Sequence, residues 1–119
     1  MAVRIPTVAY APNGQTNGVL VTWTGLANGD TGALVEGVDY ADRTVQISGT
    51  FGTGGSVTIE GSNDGATFAP LTDPQGNAIT KTAAGLEVIE EGPRYVRPNV
   101  TAGDGATNLP VMIWGRRAR

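Results

Sequence analysis

The chain has 119 residues, a net charge of −3, and neither cysteine nor histidine. This length predicts one compact domain, and the missing residue types exclude the usual transition-metal ligands, thiol nucleophiles and neutral-pH titrating groups. Glycine contributes 18 residues, about twice its usual share of ~7%. Good helix formers are sparse, so the composition favours strands and turns.

No segment is predicted to enter a membrane or an export pathway. The opening sequence MAVRIPTVAYAPNGQ lacks the apolar run of about 7–15 residues that a signal peptide requires. The longest apolar run, residues 109–114, contains a proline and is far shorter than the ~20 residues needed to span a bilayer. We therefore expect a soluble protein made in the cytoplasm, with no membrane partner.

Residues 1–17 mix prolines and turn-forming residues with isolated apolar ones. This pattern predicts an extended N-terminal arm, with an edge strand as the alternative. The first firm strand is residues 18–24, in which Val19, Val21 and Trp23 share one face and Trp23 is expected to anchor the core. Residues 25–43 are predicted to form a loop containing a short strand near residues 33–35.

Residues 44–71 carry the clearest two-residue alternation of the chain. In TVQISGTFGTGGSVTIE, the apolar side chains fall on one face of two runs separated by the glycine-rich segment 52–55. The pattern predicts a β-hairpin with one buried and one solvated face. A turn over residues 61–65 should lead into a short strand, residues 68–71, with Phe68 packed inward.

Further strands are predicted at residues 78–82, 86–89, 94–101 and 109–114. Pro98 should restrict the third of these to an edge or a bulge, and Trp114 is expected in the core. Many short strands separated by regular turn signals are typical of a sandwich or barrel. The predicted fold is all-β, a single-domain antiparallel β-sandwich or jelly roll over residues 18–115, with the arm before it and a basic tail over residues 116–119.

No catalytic residue, metal ligand or cofactor site emerges from the motifs. The loop acids lack the spacing of a calcium-binding loop, and the segments GTGGS and GDGATN complete no phosphate-binding motif. Nothing places two carboxylates together for glycoside chemistry. The arginine-rich tail could contact acidic groups of another protein or remain solvated, but three arginines are too few to indicate nucleic-acid binding.

The run VTIEGSNDGATFAPL, followed by EEGPRYVRPNVT, resembles discoidin-type, galactose-binding-like jelly-roll modules. The resemblance covers roughly residues 57–101 and implies, in this order, a strand, a turn at residues 63–65, an inward-packed aromatic residue and a later strand. It supports one function hypothesis, a carbohydrate-binding module of a phage tail or fibre. The candidate glycan-binding residues are Tyr40, Asp64, Arg94 and Arg97.

The segments WTGLANGDTG and ADRTVQISGTFG, together with the small acidic Gly/Thr-rich character, resemble head decoration (cement) proteins of tailed bacteriophages. This resemblance implies a non-catalytic virion protein, commonly a trimer, that attaches to the outside of the capsid by binding the major capsid protein. The candidate contacts are Val3, Arg4, Ile5, Val8 and Tyr10 in the arm, and Arg116, Arg117 and Arg119 in the tail. A third reading is another virion part, such as a head-completion or tail-tip subunit.

Overall fold

The computed structural model describes residues 2–10, 18–36 and 40–117, which form β-strands and no helix. Alternating apolar and polar residues, frequent β-branched side chains and glycine-rich turns explain this preference. The strands are β1 Val3–Arg4, β2 Thr7–Tyr10, β3 Gly18–Leu26, β4 Thr31–Gly32, β5 Val35–Glu36, β6 Asp42–Ile47, β7 Ser56–Ser62, β8 Ala69–Pro70, β9 Thr80–Lys81, β10 Gly85–Ile89, β11 Tyr95–Ala102 and β12 Leu109–Arg116.

Two sheets pack face to face as a β-sandwich, which confirms the predicted fold class. The first, called here the β11 sheet, has the order β1-β4-β11-β7-β8, with β5 also paired to β11 and β9 to β7. The second, the β12 sheet, has the order β10-β6-β12-β3-β2. The described pairs are antiparallel except for β1 with β4, which run parallel.

The core lies between the sheets and is built from their inward-facing side chains. Along β3, β6, β11 and β12 buried residues alternate with more exposed ones, as the two-residue period requires. Trp23 is completely buried, and its indole Nε1 donates a hydrogen bond to the Ala33 carbonyl at 3.0 Å. The expectation that Trp23 anchors the core is confirmed.

The predicted hairpin over residues 44–60 is wrong. β6 pairs with β10 and β12, whereas β7 pairs with β11, β8 and β9 in the other sheet. The segment between them crosses from one sheet to the other, and Thr50 bridges to Asn108 on the way. Both strands still bury one face, because two sheets that enclose the same core impose the same alternation.

Pro98 does not lie at an edge, because β11 is an interior strand. Its register partner is Ile59, whose N–H donates to Ile79 and whose carbonyl accepts from Leu71. The N–H and carbonyl of Ile59 thus point away from β11. Pro98, which has no N–H, therefore removes no hydrogen bond between β11 and β7. On the other side the proline ring packs against Gly32, where an added Cβ would lie 2.5 Å from the Pro98 Cδ.

Two aromatic residues expected in the core lie on outer faces. Phe68 is half-buried, and the Arg97 guanidinium carbon lies 3.7 Å from its ring centroid. Arg97 alternates with buried neighbours along β11, so this pair covers the outer side of the β11 sheet. Trp114 alternates outward along β12, and its ring lies where a Cβ on Gly18 would be. Alternation gives the period, but the choice of buried face depends on the opposing sheet.

Candidate protein-binding edge

Residues 2–10, called here the N-terminal edge, run along one side of the sandwich and contribute a strand to each sheet. β1 pairs in parallel with β4, and β2 pairs antiparallel with β3, with Val8 opposite Val21. Pro6 lies between the two strands, where a backbone N–H is not needed for pairing. Of the two alternatives for this stretch, edge strands describe residues 2–10, while residues 11–17 lie outside the described part of the chain.

Asp30 fastens the beginning of the N-terminal edge to the sandwich. Its buried carboxylate accepts hydrogen bonds from the backbone N–H of Ala2, from Arg4 Nε and from the backbone N–H of Ala27, each at 3.0 Å. Burial alone would raise the pKa of Asp30, but the bonds from Ala27, Arg4 and Ala2 outweigh it and lower the pKa below its usual value. Backbone bonds from Thr31 to Ala2 and from Ala33 to Arg4 complete the attachment.

Most of the exposed large apolar side chains of the described residues belong to this edge. The exposed fractions are 67% for Val3, 86% for Ile5, 48% for Val8 and 61% for Tyr10. Single exposed apolar residues are ordinary on protein surfaces, but a group along one edge is a candidate for a binding surface. The structure places the apolar arm candidates along this edge, with Val3 beside Arg97 and Asn99 of β11, and with Val8 and Tyr10 opposite Val21 and Val19 of β3.

The two outer strands of the β12 sheet differ in charge. β2 is terminal and has the uncharged sequence TVAY. β10, at the other end, carries Glu87, which forms an ion pair with Lys81 at 2.9 Å, and an exposed Leu86. Charged side chains discourage edge-to-edge pairing, so β2 is the edge better suited to receive another strand.

The tail candidates fold back onto the domain. Arg116 Nη2 lies 2.7 Å from Asp42 Oδ2, and the Arg117 guanidinium carbon is 5.8 Å from the ring centroid of Tyr40. β12 is separated from β2 only by β3, so Arg116 and Tyr10 lie at the same end of the sheet, on strands roughly 10 Å apart. Arg119 lies outside the described residues.

The residues proposed for glycan binding serve turns, ion pairs and the core margin. The Asp64 carboxylate accepts from the backbone N–H groups of Thr67 and Ala66 and from the Ser62 hydroxyl, which lowers its pKa. Arg94 and Arg97 are paired with Glu36 and Glu60 at 2.8 and 3.0 Å. Tyr40 is half-buried and packs against the core. These contacts give each side chain a structural role of its own.

The loop acids behave as turn formers. Asp104 accepts from the backbone N–H groups of Thr53 and Ala106, which lowers its pKa, and Asp73 caps the turn at residues 73–77. Within residues 2–10, 18–36 and 40–117 no group of three or more Asp or Glu side chains is placed to hold a metal ion. The same residues contain no helix long and apolar enough to cross a membrane.

Sequence reasoning missed two buried charges. Asp30, one of the loop acids, follows a strand and a glycine turn, where a carboxylate can accept several backbone N–H bonds. Arg43 stands two residues before Val45 on the inward face of β6 and is buried. The two-residue period places the Arg43 side chain on the inward face, so the alternation alone could have predicted its burial.

Comparisons with known proteins bear on the fold. No protein-family profile matches the chain, and no curated protein matches it. Among solved structures, the SPBc2 prophage-derived protein YomS is similar, with a TM-score of 0.62 and 12% identity over 85% of this chain and 96% of that chain. A cupin domain from Bordetella pertussis Tohama I has a TM-score of 0.52 and 16% identity, over 98% and 96% of the two chains. At these identities the likeness shows a shared jelly-roll type of β-sandwich.

Proposed function

We propose that this protein is a non-catalytic structural component of a bacteriophage particle that decorates the outer surface of the capsid. Its partner is the major capsid protein, and it is made in the host cytoplasm before it joins the virion. The observation that carries this proposal is the exposed apolar N-terminal edge, defined by Val3, Ile5, Val8 and Tyr10. Such an edge suits attachment to another protein better than solvation.

The geometry of the edge suggests how attachment occurs. β2 has no strand on its outer side in the described part of the β12 sheet and carries no charge. A strand of the capsid protein can therefore pair with it, while pockets on the shell receive the apolar side chains. Arg116, paired with Asp42 at the same end of the sheet, would lie at the polar rim of this contact.

Two further observations support a phage protein. The segments WTGLANGDTG and ADRTVQISGTFG resemble head decoration proteins, and the fold is shared with a prophage-derived protein across 96% of that chain. Binding only to assembled shells would stabilise them by mass action, and association as a trimer would add avidity.

Capsid cosedimentation tests the proposal directly. Heads assembled without this protein are mixed with wild-type protein, with an Ile5→Ser/Val8→Ser variant, and with a Leu86→Ser control. Burying one such aliphatic side chain is worth about 1.5–3 kcal/mol, so the double variant should bind at least about 100-fold more weakly. Leu86 is exposed on the opposite edge of the same sheet, so its variant should bind like the wild type.

Equal binding of all three proteins would contradict the role of the N-terminal edge. Particle imaging separates the remaining virion hypotheses by copy number. Decoration requires copies distributed over the whole shell, whereas a head-completion or tail-tip subunit would form a single ring.

A further inference from the structure

Arg43 is a cation held inside the sandwich. It lies on β6 with its side chain between the sheets, 4% exposed. Its Nη2 donates to the Glu91 carbonyl at 2.9 Å, but Nε and Nη1 are buried and have no acceptor in the described part of the chain. Burial lowers the pKa of Arg43. A buried guanidinium with unused donors is unfavourable unless another group accepts from it.

The Arg43 side chain lines a cavity of about 30 Å³ between the two sheets. The walls are mainly aliphatic, from Val19, Val21, Val35, Val96 and Ile113. Among the described residues that line it, Glu36 alone bears a carboxylate, and that carboxylate accepts from Arg94 Nε at 2.8 Å. The cavity thus contains positive charge that no described lining group is seen to neutralise.

The size and chemistry of the cavity limit its occupant. A water molecule needs roughly 10–15 Å³ of such space and 2–4 polar partners. The volume admits one small ion but excludes a phosphate ester, a nucleotide or a sugar. The aliphatic walls offer few partners to water, whereas an anion gains from the charge and from the N–H donors of Arg43.

We propose that Arg43 and this cavity form a binding site for a small monovalent anion of the size of chloride. The ion accepts hydrogen bonds from the guanidinium and neutralises it, which strengthens the contact between β6 and the opposite sheet. The cavity wall includes Val19 and Val21, the register partners of Tyr10 and Val8. No residue of the N-terminal edge itself lines the cavity, so the proposal does not depend on capsid attachment.

Thermal unfolding at constant ionic strength tests the site, with sodium chloride compared against sodium gluconate, whose anion is too large to enter. At a chloride concentration about tenfold above its dissociation constant, the wild-type midpoint should rise by about 3–6 °C. An Arg43→Met variant should lose this dependence, because methionine fills similar space without charge. An Arg97→Met variant, which removes a paired arginine on the outer face, should keep it.

Equal wild-type midpoints in the two salts would overturn the proposal, as would a chloride dependence that persists in Arg43→Met. A dependence that emerges only after Glu36→Gln would identify the carboxylate that lines the cavity as the acceptor and would also overturn the proposal. Crystals soaked in bromide provide a readout that does not depend on variant folding. An anomalous peak within hydrogen-bond reach of Arg43 Nε or Nη1 is expected, and a site occupied only by water would contradict the assignment.

Discussion

Asn substituted for Asp30 should detach the N-terminal edge from the sandwich while the two sheets remain paired. The Asp30 carboxylate accepts from Ala2, Arg4 and Ala27, and Asn replaces one acceptor oxygen with a donor. At least one of these N–H groups then faces another N–H. The bond from Ala27 lies within the turn that contains Asp30. The substitution should therefore weaken mainly the attachment of β1, which the bonds from Ala2 and Arg4 hold in place.

The size of the effect follows from the burial of this carboxylate, whose side chain is 5% exposed. A buried donor left unsatisfied costs about 1–3 kcal/mol, and a hydrogen bond to a charged group contributes about 1.5–3 kcal/mol. Arg4 is 48% exposed and can be solvated when its partner is lost, which reduces the second contribution. We expect the free energy of unfolding to fall by about 2–3 kcal/mol.

Amide hydrogen exchange distinguishes detachment of the edge from general destabilisation. The N–H groups of Thr31 and Ala33 donate to the Ala2 and Arg4 carbonyls, so they should lose protection in Asp30→Asn. Amides of the interior strand β12 should exchange faster only by the factor that the global loss of stability sets. An Arg4→Met control removes the half-exposed ion pair alone and should cost less than about 1 kcal/mol.

Unchanged protection of Thr31 and Ala33 in Asp30→Asn, together with wild-type stability, would refute the reasoning. Loss of protection at those two amides with a concurrent loss of capsid binding would connect the anchor to the proposed function. Capsid binding at wild-type strength despite detachment would show that the apolar side chains act without the strand.

Three other outcomes are expected. Gly32→Ala should lower the free energy of unfolding by about 1–3 kcal/mol, because the added Cβ would lie 2.5 Å from the rigid ring of Pro98. The control Gly105→Ala, whose Cβ would meet nothing within 4 Å, should leave urea unfolding nearly unchanged. Trp23→Phe should lower the free energy of unfolding by about 2–4 kcal/mol. The substitution shortens a completely buried side chain and leaves the Ala33 carbonyl without its indole donor. A change in stability below experimental error would contradict the anchoring role. The pKa of Asp30 is lower in the folded state than in the unfolded state. Its contribution to the free energy of unfolding is therefore full above the unfolded pKa of about 3.9 and declines as the pH falls toward the folded pKa. In urea titrations between pH 6 and pH 2, the wild type should lose stability more steeply than Asp30→Asn.

The strand content and much of the burial pattern follow from the amino-acid sequence alone. Alternation in β3 identified the face that carries Val19, Val21 and Trp23, because a strand with one buried face imposes a period of two on its own residues. In β12 the period was predicted correctly but the buried face was not, since Trp114 alternates outward. The apolar residues of the N-terminal edge were likewise visible as candidates. These properties are local, because they depend on each residue and its neighbours along the sequence.

Strand pairing and the contacts between charged residues depend on the tertiary structure. β6 and β7 carry the same alternation whether they form a hairpin or lie in opposite sheets, so the period could not reveal that they belong to different sheets. Pro98 fits an interior strand because its partner Ile59 directs its backbone groups elsewhere. The bonds of Asp30 to Ala2 and Arg4 join residues 26 or more positions apart. Such choices rest on contacts between distant segments, which no local pattern encodes.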